Sequence, residues 1–144
     1  MQLKRAESVL VVIRDEHKQV LIMQRDDDAN FWQSVTGTIE MGEIPLNAAY
    51  RELAEETGIA LPKSIHPILD CRLMNQYKIR PIWLYRYPPG TEFNNEYVFC
   101  IKVPAGMPIV LTEHTDFNWT SKQEAMQRVW SKTNRDAIAQ FVPD

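Results

Sequence analysis

The chain has 144 residues, a net charge of −3 and no long run of Lys or Arg, which excludes stable non-specific nucleic-acid binding. Its hydrophobic share is 44%, ordinary for a folded domain, so disorder is excluded and one domain with a single sizeable core over residues 1–144 is expected. Two cysteines, Cys71 and Cys100, both in apolar segments, are too few for a disulfide scaffold or a zinc site and are expected to be buried thiols. Without an N-terminal hydrophobic run or an apolar stretch near 18 residues, the expected location is the cytoplasm, with no membrane partner.

In chain order, Ser8–Ile13 predicts a buried strand, and Val20–Gln24 its hairpin partner across the polar segment Arg14–Gln19. Phe31–Val35 predicts a short strand leading into a glycine-containing loop. Pro45 suits the first turn of a helix and Gly58 the position just after its end. Between them Leu46, Ala49, Tyr50 and Leu53 recur at i, i+3, i+4 and i+7, which predicts a buried stripe. His66–Leu73 and Ile82–Tyr87 are expected strands, with Pro88-Pro89-Gly90 as a turn. Tyr97–Val103 and Thr115–Trp119 are further strands. Ser121 and Glu124 have capping-box spacing for a helix over Ser121–Arg128, and Thr133 is the expected N-cap of a last helix over Asn134–Phe141. Strands with a central helix and C-terminal helices predict an α/β layered domain.

The central helix carries an unusual charge pattern. At about 100° per residue, Glu52, Glu55 and Glu56 share one sector of roughly 100°, which is expected to face a cleft or solvent. Like charges at these spacings repel, and they crowd the negative end of the helix dipole. A helix selected for stability alone would avoid this. A hard divalent cation bound through oxygen reverses each unfavourable contribution. Arg51, beside the cluster, is expected to orient Glu43 or Glu55 through a bidentate ion pair. Gly37 and Gly42 are expected to supply backbone conformations closed to other residues.

The stretch from Gly37 to Ile59, GTIEMGEIPLNAAYRELAEETGI, matches the Nudix box (G-x5-E-x7-R-E-U-x-E-E-x-G-U, U aliphatic) at every defined position. The chain therefore resembles the Nudix hydrolases. The resemblance implies a mixed β-sheet sandwiched between helices, an α/β/α arrangement, and metal-assisted cleavage of a phosphoanhydride bond. It implies Mg²⁺, with Mn²⁺ as a substitute, held by Glu52, Glu55 and Glu56 and by the carbonyl of Thr36, the residue before the box glycine. Glu113 is implied as a further carboxylate from a loop, as ligand or general base. Either Glu52 or Glu113 fits the base. His114 also has the chemistry of a base, although a lone histidine is more often structural.

Outside the box, FWQSVTG, RYPPG, LTEHTDFNW and SKTNRDAIAQFV are similar to the bacterial dihydroneopterin triphosphate pyrophosphohydrolases. That similarity implies a small-molecule triphosphate, split to a monophosphate and pyrophosphate on the route to folate, by a monomer or homodimer. Nucleoside triphosphates, oxidised or not, and dinucleoside polyphosphates are the alternative substrates. A non-catalytic metabolite sensor would show degraded catalytic acids, and this chain shows none. The expected substrate contacts are Lys4 and Arg25 at phosphate oxygens, the hydroxyl of Thr36, Tyr77 and Arg80 from a polar stretch, and Ser131 before the last helix. Trp32, Trp83, Trp119 and Trp130 offer flat surfaces for a ring, or core packing.

Overall fold

The computed structural model describes residues 3–144. Its elements are β1 (Glu7–Asp15), β2 (Val20–Arg25), β3 (Trp32–Gln33), β4 (Val35–Thr38), α1 (Pro45–Thr57), β5 (Leu69–Lys78), a 3-10 helix (Pro81–Arg86), β6 (Phe93–Val103), β7 (His114–Thr120), α2 (Lys122–Arg128) and α3 (Lys132–Phe141). The seven strands form one mixed sheet in the order β3-β2-β1-β6-β5, with β4 on β1 and β7 on β2. Only β1 and β6 run parallel among the named strands.

Strand β1 organises the sheet. One of its edges pairs with β6 from Glu7 to Asp15. The other is shared: β4 takes Ser8–Val11 and β2 meets it at Arg14. Its side chains feed two cores. Val9, Val11 and Ile13 pack with Ala48, Ala49 and Leu53 of α1, while Leu10 and Val12 pack with Ala125, Val129, Ala137 and Ile138 of α2 and α3. A strand covered on both faces needs a continuous apolar run, which SVLVVI supplies. The α/β/α sandwich expected from the sequence is the fold observed.

Several elements differ from expectation. The expected strand Ile82–Tyr87 is instead a 3-10 helix as far as Arg86, with Tyr87 just beyond its end: Pro81 opens it, and Ile82 is 67% exposed, so the apolar pattern there does not mark a buried sheet position. The expected Phe31–Val35 strand is split at Ser34, because its N–H is bonded to Asn134 Oδ1 (2.9 Å) instead of to a ladder. β5 begins three residues later than expected and takes in Asn75–Lys78, which pair with the polar start of β6. The last helix starts at Lys132, capped by Ser131 and not by Thr133. Ser121 caps α2 as expected, yet Glu124 turns its carboxylate to the Thr120 hydroxyl and leaves the capping box half formed. Leu46 is exposed; the buried face of α1 is Ala48, Ala49, Leu53, Glu56 and Thr57. Cys71 and Cys100 are half-buried, not fully buried, at the edge of the α3-side core. No helix among the described residues is long and apolar enough to cross a membrane.

Asn134 ties α3 to the break between β3 and β4. It accepts from Ser34 N–H and donates to Ser34 Oγ (2.9 Å), all of it buried. Asn134→Ala strands a buried N–H, so urea denaturation is expected to show a loss of about 2–3 kcal/mol. A loss below about 0.5 kcal/mol would contradict this role.

Candidate active site

The acidic helix enters the site through an arginine. All five N–H donors of Arg51 are used. Nε and Nη2 grip the Glu43 carboxylate in a fork (2.8 Å each), Nη1 donates to Glu52 (2.7 Å) and Glu55 (3.2 Å), and Nη2 also donates to the Thr38 carbonyl (3.0 Å). Both expected partners, Glu43 and Glu55, are therefore bound, and Glu52 and β4 as well. The guanidinium beside Glu43 holds that carboxyl far down, to about 2. The same ion pairs raise the Arg51 pKa further. Arg51 thus fixes the loop before α1 against the helix and is fully committed to protein oxygens.

Gly37 is required by space. It lies in β4 opposite Val9, and a Cβ there would stand 2.1 Å from the carboxyl carbon of Glu52. Its φ is not in the left-handed region, contrary to expectation, whereas Gly42 does adopt φ +78°. Glu52 lies flat against the bare backbone of β4.

Of the three glutamates expected to face a cleft or solvent, Glu55 is exposed, whereas Glu56 is withdrawn from solvent, at 3% exposed. Burial, with the Glu52 charge beside it, pushes its pKa to about 10, so near neutrality Glu56 keeps its proton and donates it to Glu52. Burial also raises Glu52. Glu56 Oε2 is buried without a hydrogen-bond partner. Glu55 lies outside this pair, exposed on the outer side of Arg51. Glu113 is exposed in the loop before β7, and its charge is felt at Glu56. Thr112 Oγ1 bonds the Glu55 carbonyl (2.8 Å), which pins that loop to the end of α1.

A polar chain runs behind Glu56. Trp130 Nε1 donates to Gln33 Oε1 (3.3 Å), Gln33 Nε2 lies 3.2 Å from His114 Nε2, and that nitrogen is 3.9 Å from Glu56 Oε1. The indole can only donate, so it fixes the Gln33 amide, which then donates to His114 Nε2. His114 is thereby a neutral acceptor, and burial lowers its pKa. It lines the base of the carboxylate pair, and nothing local in the sequence marks Gln33 for its position behind it.

The expected substrate contacts divide into two groups. Arg25 and Arg80 meet over the Phe31 and Trp83 rings, at 5.8 and 5.7 Å for Arg25 and 5.7 and 5.1 Å for Arg80. Asp27 already holds the Arg25 fork (2.7 and 2.8 Å). Phe31 stacks on Trp130 with centroids 4.8 Å apart. Trp32 lies under Arg128, and Trp119 packs against the α1-side core. The other group sits on the α3 side of the sheet. Thr36 lies on β4, Tyr77 accepts from Asn94 (3.1 Å), and Ser131 Oγ accepts from Asn134 N–H in its capping role. Burial pushes Tyr77 up to about 12. Lys4 is exposed, its backbone N–H bonded to the Arg86 carbonyl (2.8 Å).

The donors suit a hard divalent cation: all are oxygens, two are adjacent carboxylates, and one buried oxygen has no partner. Among the described residues no three Asp, Glu, His or Cys side chains already form a closed ligand set. The pair Glu52–Glu56 is assembled, whereas Glu55 and Glu113 stand beside it.

A mixed sheet between helices that buries paired glutamates against a bare glycine strand defines a class. The chain belongs to the NUDIX family, whose domain profile matches residues 4–141. Nudix hydrolases generally use a divalent metal. The chain is similar to the dihydroneopterin triphosphate diphosphatase of Haemophilus influenzae, with 39% identity over 143 residues, 99% of this chain and 90% of that protein. It is similarly related to the enzyme of that name in Escherichia coli K12, with 41% identity over 140 residues, 96% of this chain and 93% of that one. Among solved structures, the E. coli dihydroneopterin triphosphate pyrophosphohydrolase superposes with a TM-score of 0.91 at 40% identity, covering 99% of this chain and 98% of that one.

Burying Glu56 has a consequence for stability. Its pKa is 4.5 ordinarily and about 10 in the fold, so folding takes up a proton between those values. The contribution is fully present below pH 4.5 and is lost as pH rises toward 10. Glu56→Gln removes that slope. At pH 9 the metal-free variant is expected to melt about 3 °C or more above the parent, with no such gain at pH 5. Any thermal shift that a divalent cation gives the parent is expected to disappear in the variant. Parallel melting-versus-pH curves for the two proteins would refute the assignment.

Proposed function

We propose that the protein hydrolyses dihydroneopterin triphosphate to the monophosphate and pyrophosphate in a Mg²⁺-dependent reaction, with Mn²⁺ able to substitute. The observation that carries this reading is near-full-length identity of 39–41% to two relatives named for that substrate. The assembled Glu52–Glu56 pair supports the chemistry.

Glu52 and Glu56 would hold the cation, with Glu55 and the Thr36 carbonyl as further ligands. When bound, the cation neutralises phosphate oxygens and acidifies water. Arg51 positions Glu52 and Glu55 through its ion pairs. Glu113 is the better candidate for taking the proton from water, because Glu52 Oε1 is already engaged by Arg51 (2.7 Å) whereas Glu113 is exposed beside the pair. Arg25 and Arg80, brought together over Trp83, supply positive charge for the phosphate chain, with Lys4 as a further cation. Such reactions rest mainly on positioning and charge stabilisation.

The test is Mg²⁺-dependent turnover of dihydroneopterin triphosphate against a nucleoside triphosphate panel, with pyrophosphate and orthophosphate measured separately. The pterin substrate is expected to have the highest kcat/KM and to yield pyrophosphate; a faster nucleotide would displace this substrate reading. Gly37→Ala puts a methyl 2.1 Å from the Glu52 carboxyl carbon and pushes that side chain off the strand. It is expected to lower kcat by at least about a hundredfold while the protein stays folded by circular dichroism. Retention of more than half the parent's turnover would remove Glu52 from the site.

A further inference from the structure

On the α3 side of the sheet, one row of side chains crosses four strands: Asn75 on β5, Glu96 on β6, Ser8 on β1 and Thr38 on β4. The next row on the same face is Leu73, Val98, Leu10 and Thr36, of which Leu73, Val98 and Leu10 belong to the core under α3. Tyr77 and Asn94 pair beyond the polar row on the opposite side. Three residues expected at the substrate, Thr36, Tyr77 and Ser131, therefore border a patch of sheet that is inward-facing and polar. Asn94 Nδ2 donates to Ser8 Oγ (2.7 Å) and to Tyr77 Oη (3.1 Å), which fixes that wall.

Glu96 is the anomaly within the row. It is 5% exposed, and its side-chain donors among the described residues are neutral: Asn75 at 3.4 Å and Thr133 at the start of α3. No Lys or Arg is paired with it among the described residues. A carboxylate has about four acceptor positions, so two donors leave it under-used. Burying it without a cation is costly, and an apolar residue continuing the Val98 row would serve stability better. Burial raises its pKa, in keeping with a group held out of water without a counter-charge. Glu96 also lies apart from the box helix, which packs on the other face of the sheet.

We propose that Glu96 determines specificity for the ring: its carboxylate accepts the adjacent N–H and N–H₂ donors of a 2-amino-4-oxo heterocycle, the edge that pterin and guanine share. This rests on the function proposed above, and it names the group that reads the ring end of that substrate. A planar amidine-like edge offers two parallel donors, which match two carboxylate oxygens as a guanidinium does. Asn75 and Thr133 hold Glu96 from the side, and Thr38, Ser8 and Asn94 supply the polar surround. A ring without the 2-amino group leaves one oxygen of a buried carboxylate unpaired, and that penalty is the source of discrimination.

The experiment compares kcat/KM for GTP and ITP, which differ only in the 2-amino group, in the parent and in Glu96→Gln. Each ratio is taken within one preparation, so loss of folded protein cancels. The parent is expected to favour GTP by about tenfold or more, and Glu96→Gln to bring the ratio below about threefold. A parent ratio within about twofold of unity overturns the proposal without any variant, and so does a Glu96→Gln protein that keeps the parent's ratio. Turnover of dihydroneopterin triphosphate is measured alongside. If it is slower than GTP turnover, the proposed substrate falls, while the GTP-to-ITP ratio still decides the role of Glu96.

Discussion

The burial of Glu56 is the constraint around which the rest is arranged. A carboxyl that is 3% exposed and beside a second carboxylate has no stable ionised state without added positive charge. The protein could have offset it with a buried arginine. Arg51 is one residue from Glu52, yet its donors go to Glu43, Glu52, Glu55 and the Thr38 carbonyl, and none reaches Glu56. Behind Glu56, Trp130 and Gln33 fix His114 as an acceptor, so that side supplies no cation either. The one remaining way to favour two ionised oxygens is from the open side of the pair. Charge demand is thus built into packing, and a divalent cation answers it.

Much of this was legible in the sequence. The β1 run, the α1 span from Pro45 with its Gly58 stop, and the acidic spacing each carry a local signal that the fold preserves, because propensity and burial agree there. Where they disagree, the sequence misled. Ile82–Tyr87 has strand composition but finds no sheet edge, and Pro81 starts a 3-10 helix instead. Ser34 breaks a strand because a side chain 100 residues away takes its N–H, a competition that no local window contains. Gly37 looked like a turn glycine, and only the approach of Glu52 shows that the missing Cβ is what matters. Gln33 carried no signal, since a glutamine in a short strand is unremarkable until Trp130 and His114 flank it. Glu96 carried none either: the strand expected from the sequence begins at Tyr97, and only pairing with Ser8 and Asn75 puts the acid on the buried face.

Strand β4 explains how the two ends of a long substrate can be handled by one small sheet. Its residues alternate, as strand side chains must. Val35 and Gly37 point to the α1 side, with Val9 and Val11 opposite, while Thr36 and Thr38 point to the α3 side, opposite Leu10 and Ser8. Glu52 rests on the bare face of Gly37; Thr38 closes the polar row that holds Glu96 on the other face. Four residues therefore couple the carboxylate pair to the ring-reading row through backbone alone. Arg51 binds the Thr38 carbonyl, so the guanidinium that orders the acids also fixes the strand on which the row ends. A shift of β4 by one residue would exchange the faces, placing a threonine under Glu52 and a glycine in the row. The register opposite β1 is thus a condition for both ends of the site, and the double-sided burial of β1 is what holds it.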